Sequence, residues 1–401
     1  MYPLQHLEGR SSQISGTMSS PDNKTVVIIT PFFFPNIGGV ETRFLDICQW
    51  LSKNGYQVKV LTYQPITSRG IRAPAREKTG SLEVFRLDWP GGDLFHKLQK
   101  LPFLQTAYIS SGLLVKSFLY LCQHRKEIDI VHAAGFNAAF ISRISCGLLG
   151  IKWVMSTHAI YDFQPGSFLS RAVRWILNGA EKIIAISEVS KEELIAIAIL
   201  PEKIITHITW VDQNLFKPLD QKACRKNLGM EDNFVVFFAG RLREIKGVLL
   251  LLEVARVMPD ITFVLAGDGP LAPTVKKAAA ELANLQYEGP IPNKDLPVYY
   301  NAADITIMPS IYKEPFGRVV LESLSCGTAC ICSDLGAIAR HLDSSVVCLV
   351  NPTVENIRGG ILDLRKNREK LREMSSRCRP FAESAFSEKN MDTLLQGYGF
   401  I

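Results

Sequence analysis

The sequence predicts an α/β protein of two doubly wound, Rossmann-like domains facing each other across a cleft. Three observations predict it. Short apolar runs alternate with amphipathic stretches along nearly the whole chain, as parallel sheets covered on both faces require. A polar turn at Asp212–Pro218 (DQNLFKP) interrupts this alternation, and a second series begins after it. At 401 residues the chain is also too long for one core of ordinary size.

The first series opens with the strand Thr25–Thr30 (TVVIIT), the turn-rich loop PFFFPNIGG and an amphipathic helix over Val40–Asn54. A second strand at Val58–Thr62 completes a βαβ unit. Further strands are expected at Leu82–Leu87, Ile128–His132, Lys152–Ser156, Ile183–Ile186 and Ile204–His207. The second series runs through Phe234–Ala239, Ile261–Ala266, Leu285–Tyr287, Asp304–Met308, Ala329–Ser333 and Val346–Val350. The domain plan is a disordered leader over 1–24, an acceptor-side domain over 25–213, a donor-side domain over 214–386, and a terminal helix over 387–401 that crosses back. Ligands of open parallel sheets sit at the carboxyl ends of the strands, and the Gly-rich and charged segments all follow strand ends.

Composition excludes several classes. The net charge of +6 is concentrated in residues 1–213, with 22 Lys/Arg against 17 Asp/Glu, too local for a nucleic-acid footprint. Nine cysteines, an odd number with no Cys-x-x-Cys pair, read as small buried thiols of a cytoplasmic protein. The leader has no apolar core of a signal peptide, and Met18 is an alternative start. No uncharged apolar run is long enough to span a bilayer. There is no Asp-x-Asp, His-Glu-x-x-His or Gly-x-Ser-x-Gly, so neither a metal cofactor nor a hydrolase nucleophile is expected.

The richest stretch is EPFGRVVLESLSCGTACICSD, from Glu314 to Asp334. Pro315 suits the first turn of a helix, which would leave the amides of Phe316 and Gly317 free at a positive helix end. Glu322 would then lie a rise of about 12 Å from Glu314. That arrangement fits a nucleotide sugar: carboxylates for the sugar and ribose hydroxyls, amides for the diphosphate between them. The alternative, a surface helix with two solvated glutamates, conflicts with Val319, Val320, Leu321, Leu324 and Cys326. A helix this apolar is buried, and its carboxylates need partners.

The loop Gly240–Gly247 (GRLREIKG) offers the planar fork of Arg241 and the point charge of Lys246, against the alternative of solvated loop charge. The turn at Gly38, Gly39, Val40 and Glu41 lets backbone approach a ligand closely, although the full dinucleotide fingerprint is missing. Gly267–Pro270 reads as a plain strand-to-helix turn. His132 and His158 end apolar strands, His158 being the better functional candidate and a structural role the alternative for both.

Together these segments resemble the retaining glycosyltransferases of family 4, the group-1 type with the GT-B fold, from about Val26 to Phe386. The most specific part is the Glu-x7-Glu spacing of Glu314 and Glu322, with GGVE, DIVHA, STH, AIS and VDQNLFKP in matching order. The chain departs from the family at Thr209–Trp210, Ala133–Ala134 and Ala329–Cys330. The resemblance implies that Arg241 and Lys246 hold the donor diphosphate and Glu322 the ribose. It places Glu314 on the transferred sugar beside the amides of Phe316 and Gly317, Gly39 on the phosphate next to it, and His158 at the reaction centre. The implied reaction moves a hexosyl group from a UDP- or GDP-linked sugar to a hydroxyl of a glycan or lipid-linked acceptor, with retention and without metal. A hydrolysing sugar-nucleotide epimerase, a non-catalytic sugar-nucleotide-binding protein and a nicotinamide-dependent dehydrogenase are the rivals. The Glu-x7-Glu context, the intact charged residues and the missing fingerprint weigh against them in turn.

Residues 94–126 hold Lys97, Lys100, Lys116, Arg125 and Lys126 and no acid, among Leu, Phe and Tyr. Pro102 should divide this stretch, with a longer helix from about Thr106. A basic amphipathic surface there would attach to an anionic cytoplasmic membrane face; the alternative is a core-facing helix with a solvated basic side.

Overall fold

The computed structural model describes residues 24–36, 38–66, 71–91, 94–98, 101–230, 233–314 and 317–401. The expected leader, Lys100, Pro315 and Phe316 lie outside the described residues. The chain divides into two compact units, one ending at His207 and completed by Met391–Ile401, the other Ile208–Asn390.

The first unit is built on strands β1 (Thr25–Ile29), β2 (Gln57–Tyr63), β3 (Arg76–Thr79), β4 (Leu82–Leu87), β5 (Ile130–Ala134), β6 (Trp153–Ser156), β7 (Lys182–Ala185) and β8 (Ile204–Thr206). Its helices are α1 (Gly39–Lys53), α2 (Leu94–Lys97), α3 (Pro102–His124), α4 (Gly135–Leu149), α5 (Phe168–Leu177) and α6 (Glu188–Ala196). The second unit holds β9 (Val235–Ala239), β10 (Thr262–Ala266), β11 (Leu285–Gly289), β12 (Ile305–Met308), β13 (Cys330–Ser333) and β14 (Val347–Val350). Its helices are α7 (Gln221–Asn227), α8 (Val248–Arg256), α9 (Ala272–Glu281), α10 (Leu296–Ala302), α11 (Arg318–Ser325), α12 (Val354–Lys366) and α13 (Arg368–Ala385). The last helix, α14 (Met391–Tyr398), packs on β6, β7 and β8 of the first unit.

The first sheet has the order β3-β4-β2-β1-β5-β6-β7-β8, and the second β11-β10-β9-β12-β13-β14. Both reverse direction around their first strand, the doubly wound arrangement expected of alternating βα units. Strands β1 and β9 are central and almost wholly buried, because Val, Ile, Phe and Ala occupy both of their faces. Each strand expected from the sequence is present. The strand it did not yield is β3, sequence REKT, antiparallel to β4 at the sheet edge. It has no apolar run, and its charges do the holding: Arg76 pairs with Glu83, and Glu77 with the buried Arg86 at 2.8 Å.

Two helix starts differ from expectation. Pro102 divides its segment as expected, with the short α2 before it, but it opens α3 itself, so the longer helix starts ahead of Thr106, at a position where the missing N–H costs nothing. Conversely, α11 begins at Arg318 with Gly317 as its N-cap, so Pro315 is not its first residue. The rise of about 12 Å between Glu314 and Glu322 therefore does not apply, since Gly317 stands outside the helix and interrupts any continuous run between them. Seven of the nine cysteines are buried as expected; Cys348 is half-buried and Cys122 is exposed on α3. The thiols of Cys330 and Cys332 lie 3.3 Å apart as neighbours on β13, unbonded and buried.

Gly247 has φ 72°, and a Cβ there would lie 1.9 Å from the carbonyl oxygen of Pro309. The loop before α8 is thereby pressed onto the residues after β12. Gly247→Ala should lower the stability of the second unit by more than about 2 kcal/mol, because the added carbon meets backbone that cannot rotate away. Gly359→Ala, at an exposed position of α12 with open space around it, should instead stabilise by about 0.5–1 kcal/mol. Urea unfolding of the two variants checks the opposite signs; equal effects would refute the assigned role of Gly247.

Candidate functional site

In the second unit the loops after β9, β10 and β12 carry the chemistry. Beyond β9, residues 240–243 run to a 3₁₀ turn at Glu244–Lys246, and α8 follows. The Leu242 amide donates to the Asp268 carbonyl at 2.9 Å, and the Leu271 amide to the Leu242 carbonyl at 3.0 Å. The turn at Gly267–Pro270, read from sequence as a plain connection, thus braces the loop that presents Arg241. Arg241 is exposed.

Lys246 and Glu314 are brought together. The Lys246 ammonium lies 2.9 Å from both carboxylate oxygens of Glu314 and 3.0 Å from the Tyr312 hydroxyl. The Ser310 hydroxyl donates to Glu314 Oε2 at 2.9 Å. Glu314 is 5% exposed, so a charge there has to be satisfied from within the protein. Its backbone pairs with Gly336, whose φ of 94° and lack of a side chain allow the approach; a Cβ would sit 2.3 Å from the Glu314 nitrogen. Glu314 is therefore fixed by backbone and side chain together. Burial, then the Glu314 charge, pushes the Tyr312 phenol up.

Glu322 lies on the buried face of α11, 4% exposed. The Tyr300 hydroxyl donates to its Oε2 at 2.7 Å, and Arg318 Nε to its Oε1 at 2.8 Å. Arg318 stands one turn earlier on the same helix, so this partner was legible as an i, i+4 spacing. Tyr300, Ser310 and Tyr312 come from other segments, and no sequence signal pointed to them. Gly317 lies against Met308, whose sulfur would be 2.7 Å from an added Cβ.

In the first unit Gly39 opens α1, and nothing lies within 4 Å of where a side chain would start. His158 follows β6 and is packed edge-on against Phe44, with ring centroids 5.4 Å apart. Both of its ring nitrogens are buried without a hydrogen-bond partner. Burial, then the Arg43 charge, pulls its pKa down to about 3.

His132 is different. It lies within β5 rather than at its end, with Nδ1 2.7 Å from the Tyr398 hydroxyl and Nε2 2.6 Å from Ser156 Oγ. It is fully buried and ties α14 to the sheet, a structural part. His207 stands 3.0 Å from Arg43 Nη2, and burial, then Arg43, brings its pKa down to about 3. The Arg43 guanidinium is itself buried, its pKa lowered to about 10 by desolvation, with the Thr157 carbonyl 3.5 Å from Nη1. Sequence reasoning assigned nothing to Arg43 or His207.

Comparison with known proteins settles the class. Residues 220–380 match the model of "Glycosyl transferases group 1", and residues 37–213 that of "Glycosyltransferase Family 4". The chain belongs to the group 1 glycosyltransferases of family 4. It is 24% identical over 343 residues to the phosphatidylinositol N-acetylglucosaminyltransferase GPI3 subunit of Saccharomyces cerevisiae, covering 82% of this chain and 72% of that protein. It is also 25% identical over 351 residues to D-inositol 3-phosphate glycosyltransferase of Thermobispora bispora, covering 77% and 78%. Among solved structures it is similar to Anabaena HepE in complex with UDP and glucose, with TM-score 0.73, 21% identity and coverage of 93% and 98%. Sucrose-phosphate synthase of Thermosynechococcus elongatus gives TM-score 0.76, 19% identity and coverage of 94% and 98%. The fold of the glycosyltransferase is accordingly GT-B. Its expected donor-side residues Arg241, Lys246, Glu314, Gly317 and Glu322 lie in the second unit, and Gly39 and His158 in the first.

The three buried histidines of the glycosyltransferase give it a pH dependence. Their folded pKa values are depressed, so the unfolded chain takes up protons near pH 6.5 that the native one refuses. Stability is then full above about pH 7 and lost as pH falls from ~6.5 toward ~3, at ~1.4 kcal/mol per pH unit for each imidazole. Urea unfolding at about pH 7.5 and about pH 5.5 should differ by at least about 2 kcal/mol, and His158→Gln should shrink the difference. A flat profile would show that these imidazoles are not held neutral.

Proposed function

We propose that the enzyme transfers a hexosyl or N-acetylhexosaminyl group from a UDP- or GDP-linked donor to a lipid-linked acceptor hydroxyl, with retention and without a metal. The Lys246–Glu314 pair carries this reading. A cation bonded to both oxygens of a buried carboxylate can turn to a diphosphate while the carboxylate accepts sugar hydroxyls, so one pair serves both halves of the donor. Arg241 on its exposed loop adds a planar fork for phosphate oxygens. Glu322 keeps acceptor capacity for the ribose hydroxyls beyond its bonds to Tyr300 and Arg318, since each carboxylate oxygen has two lone-pair directions.

In the reaction the bond between the anomeric carbon and the phosphate oxygen breaks. The acceptor oxygen joins that carbon from the same face, and its proton passes to the departing phosphate. Lys246 and Arg241 stabilise the charge that develops on the leaving diphosphate. That stabilisation needs no metal ion. Neutral His158, with two unpartnered nitrogens, is suited to hydrogen-bond a sugar hydroxyl or phosphate oxygen, and Gly39 leaves room for a phosphate near the start of α1. The lipid-linked acceptor draws on the GPI3 relative, whose name contains phosphatidylinositol; the other relative's name gives a water-soluble inositol phosphate and supports an inositol hydroxyl alone.

A turnover assay with UDP-glucose, UDP-N-acetylglucosamine and GDP-mannose, run in excess chelator, tests the assignment. Arg241→Ala and Lys246→Ala should each lose at least about tenfold in donor turnover, since a charged contact to a leaving group is worth over roughly 1.4 kcal/mol. Arg241 is exposed, so its variant keeps the fold. Glu322→Gln should weaken donor binding with the fold retained. Unchanged turnover in both cation variants would refute the donor site, and loss of activity in chelator restored by a divalent ion would refute metal independence.

A further inference from the structure

Three helices cover part of the first sheet side by side: α3 beside α4, and α4 beside α5. Their inner faces are core: Ile109, Leu113 and Leu121 on α3, Ile141 on α4, Val173 and Leu177 on α5. Their outer faces are not the solvated basic surface an ordinary covering helix presents. On α3 the outward residues include Leu104 at 56% exposure, Val115 at 61% and Leu119 at 53%. Leu148 at the end of α4 is 72% exposed.

The sharpest feature is α5. Phe168 is 87% exposed, Leu169 54% and Trp175 52%. Phe168 and Trp175 are seven residues apart, so at about 100° per residue they share one outward stripe, with Arg171 between them. Arg174 flanks this stripe, and Arg143 of α4 stacks on the Trp175 ring at 4.9 Å. The three helices contain Lys116, Arg143, Arg171 and Arg174 and no acidic residue; Glu127, Asp162 and Glu181 lie in the flanking segments. Leaving Phe and Trp in water forfeits a large burial free energy, and exposed apolar clusters of this kind mark interaction surfaces.

We propose that the α3–α4–α5 face, led by Phe168 and Trp175 of α5, seats on an anionic phospholipid surface. The chemistry is that of an interfacial helix: aromatic and aliphatic side chains enter the headgroup boundary while arginines on the same face meet lipid phosphates. The contact is led by the aromatic side chains of α5, with the exposed Leu104, Val115 and Leu119 of α3 beside it, rather than by the lysines of residues 94–126. This surface deepens the lipid-linked acceptor reading and rests on it for its use, because it would hold the acceptor domain against the layer that carries the substrate.

Vesicle co-sedimentation tests it with the full chain, using phosphatidylcholine alone and phosphatidylcholine mixed with phosphatidylserine. The wild-type protein should bind the mixed vesicles, with binding weakened by salt. Phe168→Ser/Trp175→Ser and Arg171→Glu/Arg174→Glu should each weaken binding at least about tenfold. These side chains are exposed, so thermal melting should be unchanged; Lys276→Glu/Lys277→Glu on α9 should bind like wild type. Absence of binding to mixed vesicles, or equal binding by all variants, would overturn the proposal. So would self-association of the wild type, abolished by the Ser variants, without vesicle binding. Turnover of the donor with a water-soluble acceptor should be intact in the α5 variants, which separates failure of this surface from failure of the donor site.

Discussion

The second unit depends on the cost of a buried carboxylate. Glu314 and Glu322 are both almost sealed from water, and each would destabilise the fold by several kcal/mol without a partner. The structure answers with one cation apiece: Lys246 for Glu314 and Arg318 for Glu322, with the hydroxyls of Ser310 and Tyr300 completing the shells. A buried pair of this kind is weak evidence for stability, since desolvation offsets the attraction. It is better evidence for a site that must present charge in a fixed place. Gly247 and Gly336 supply the fixing, each letting backbone come closer than a side chain would allow.

The first unit follows the opposite logic. Arg43 is buried beside the imidazole of His207, and its charge helps to keep His132, His158 and His207 neutral. A neutral imidazole both donates and accepts, which suits a ring that meets hydroxyls and phosphate oxygens in turn. His132 uses both nitrogens internally, whereas those of His158 are unpartnered. The same residue type is thus hydrogen-bonded through both nitrogens in one place and through neither in the other, and only the neighbours separate the two.

The positions of the strands were legible because parallel strands buried on both faces announce themselves as unbroken apolar runs. β3 was not, because an edge strand held by Arg76 and Glu77 looks like a loop. The Glu-x7-Glu spacing was legible as a pair of carboxylates in an apolar context. Its geometry was not, because the helix starts at Arg318 and the partners Tyr300 and Ser310 arrive from other loops. The basic content of residues 94–126 stood out in the sequence, but the outward side chains of α3 and α5 depend on which helical face the sheet takes. Trp175 and Phe168 therefore became visible only once the layers were in place.

The pairing of Lys246 with Glu314 is the claim on which the donor site stands, and a double-mutant cycle on unfolding free energy measures it. Lys246→Met, Glu314→Gln and the double variant are unfolded in urea. Lys246→Met strands the buried Glu314 carboxylate, and Glu314→Gln leaves the half-buried Lys246 ammonium without its counter-charge, so the single costs should sum to more than the cost of the double variant. A coupling of at least about 1 kcal/mol is the predicted result; costs that add within about 0.3–0.5 kcal/mol would contradict the account.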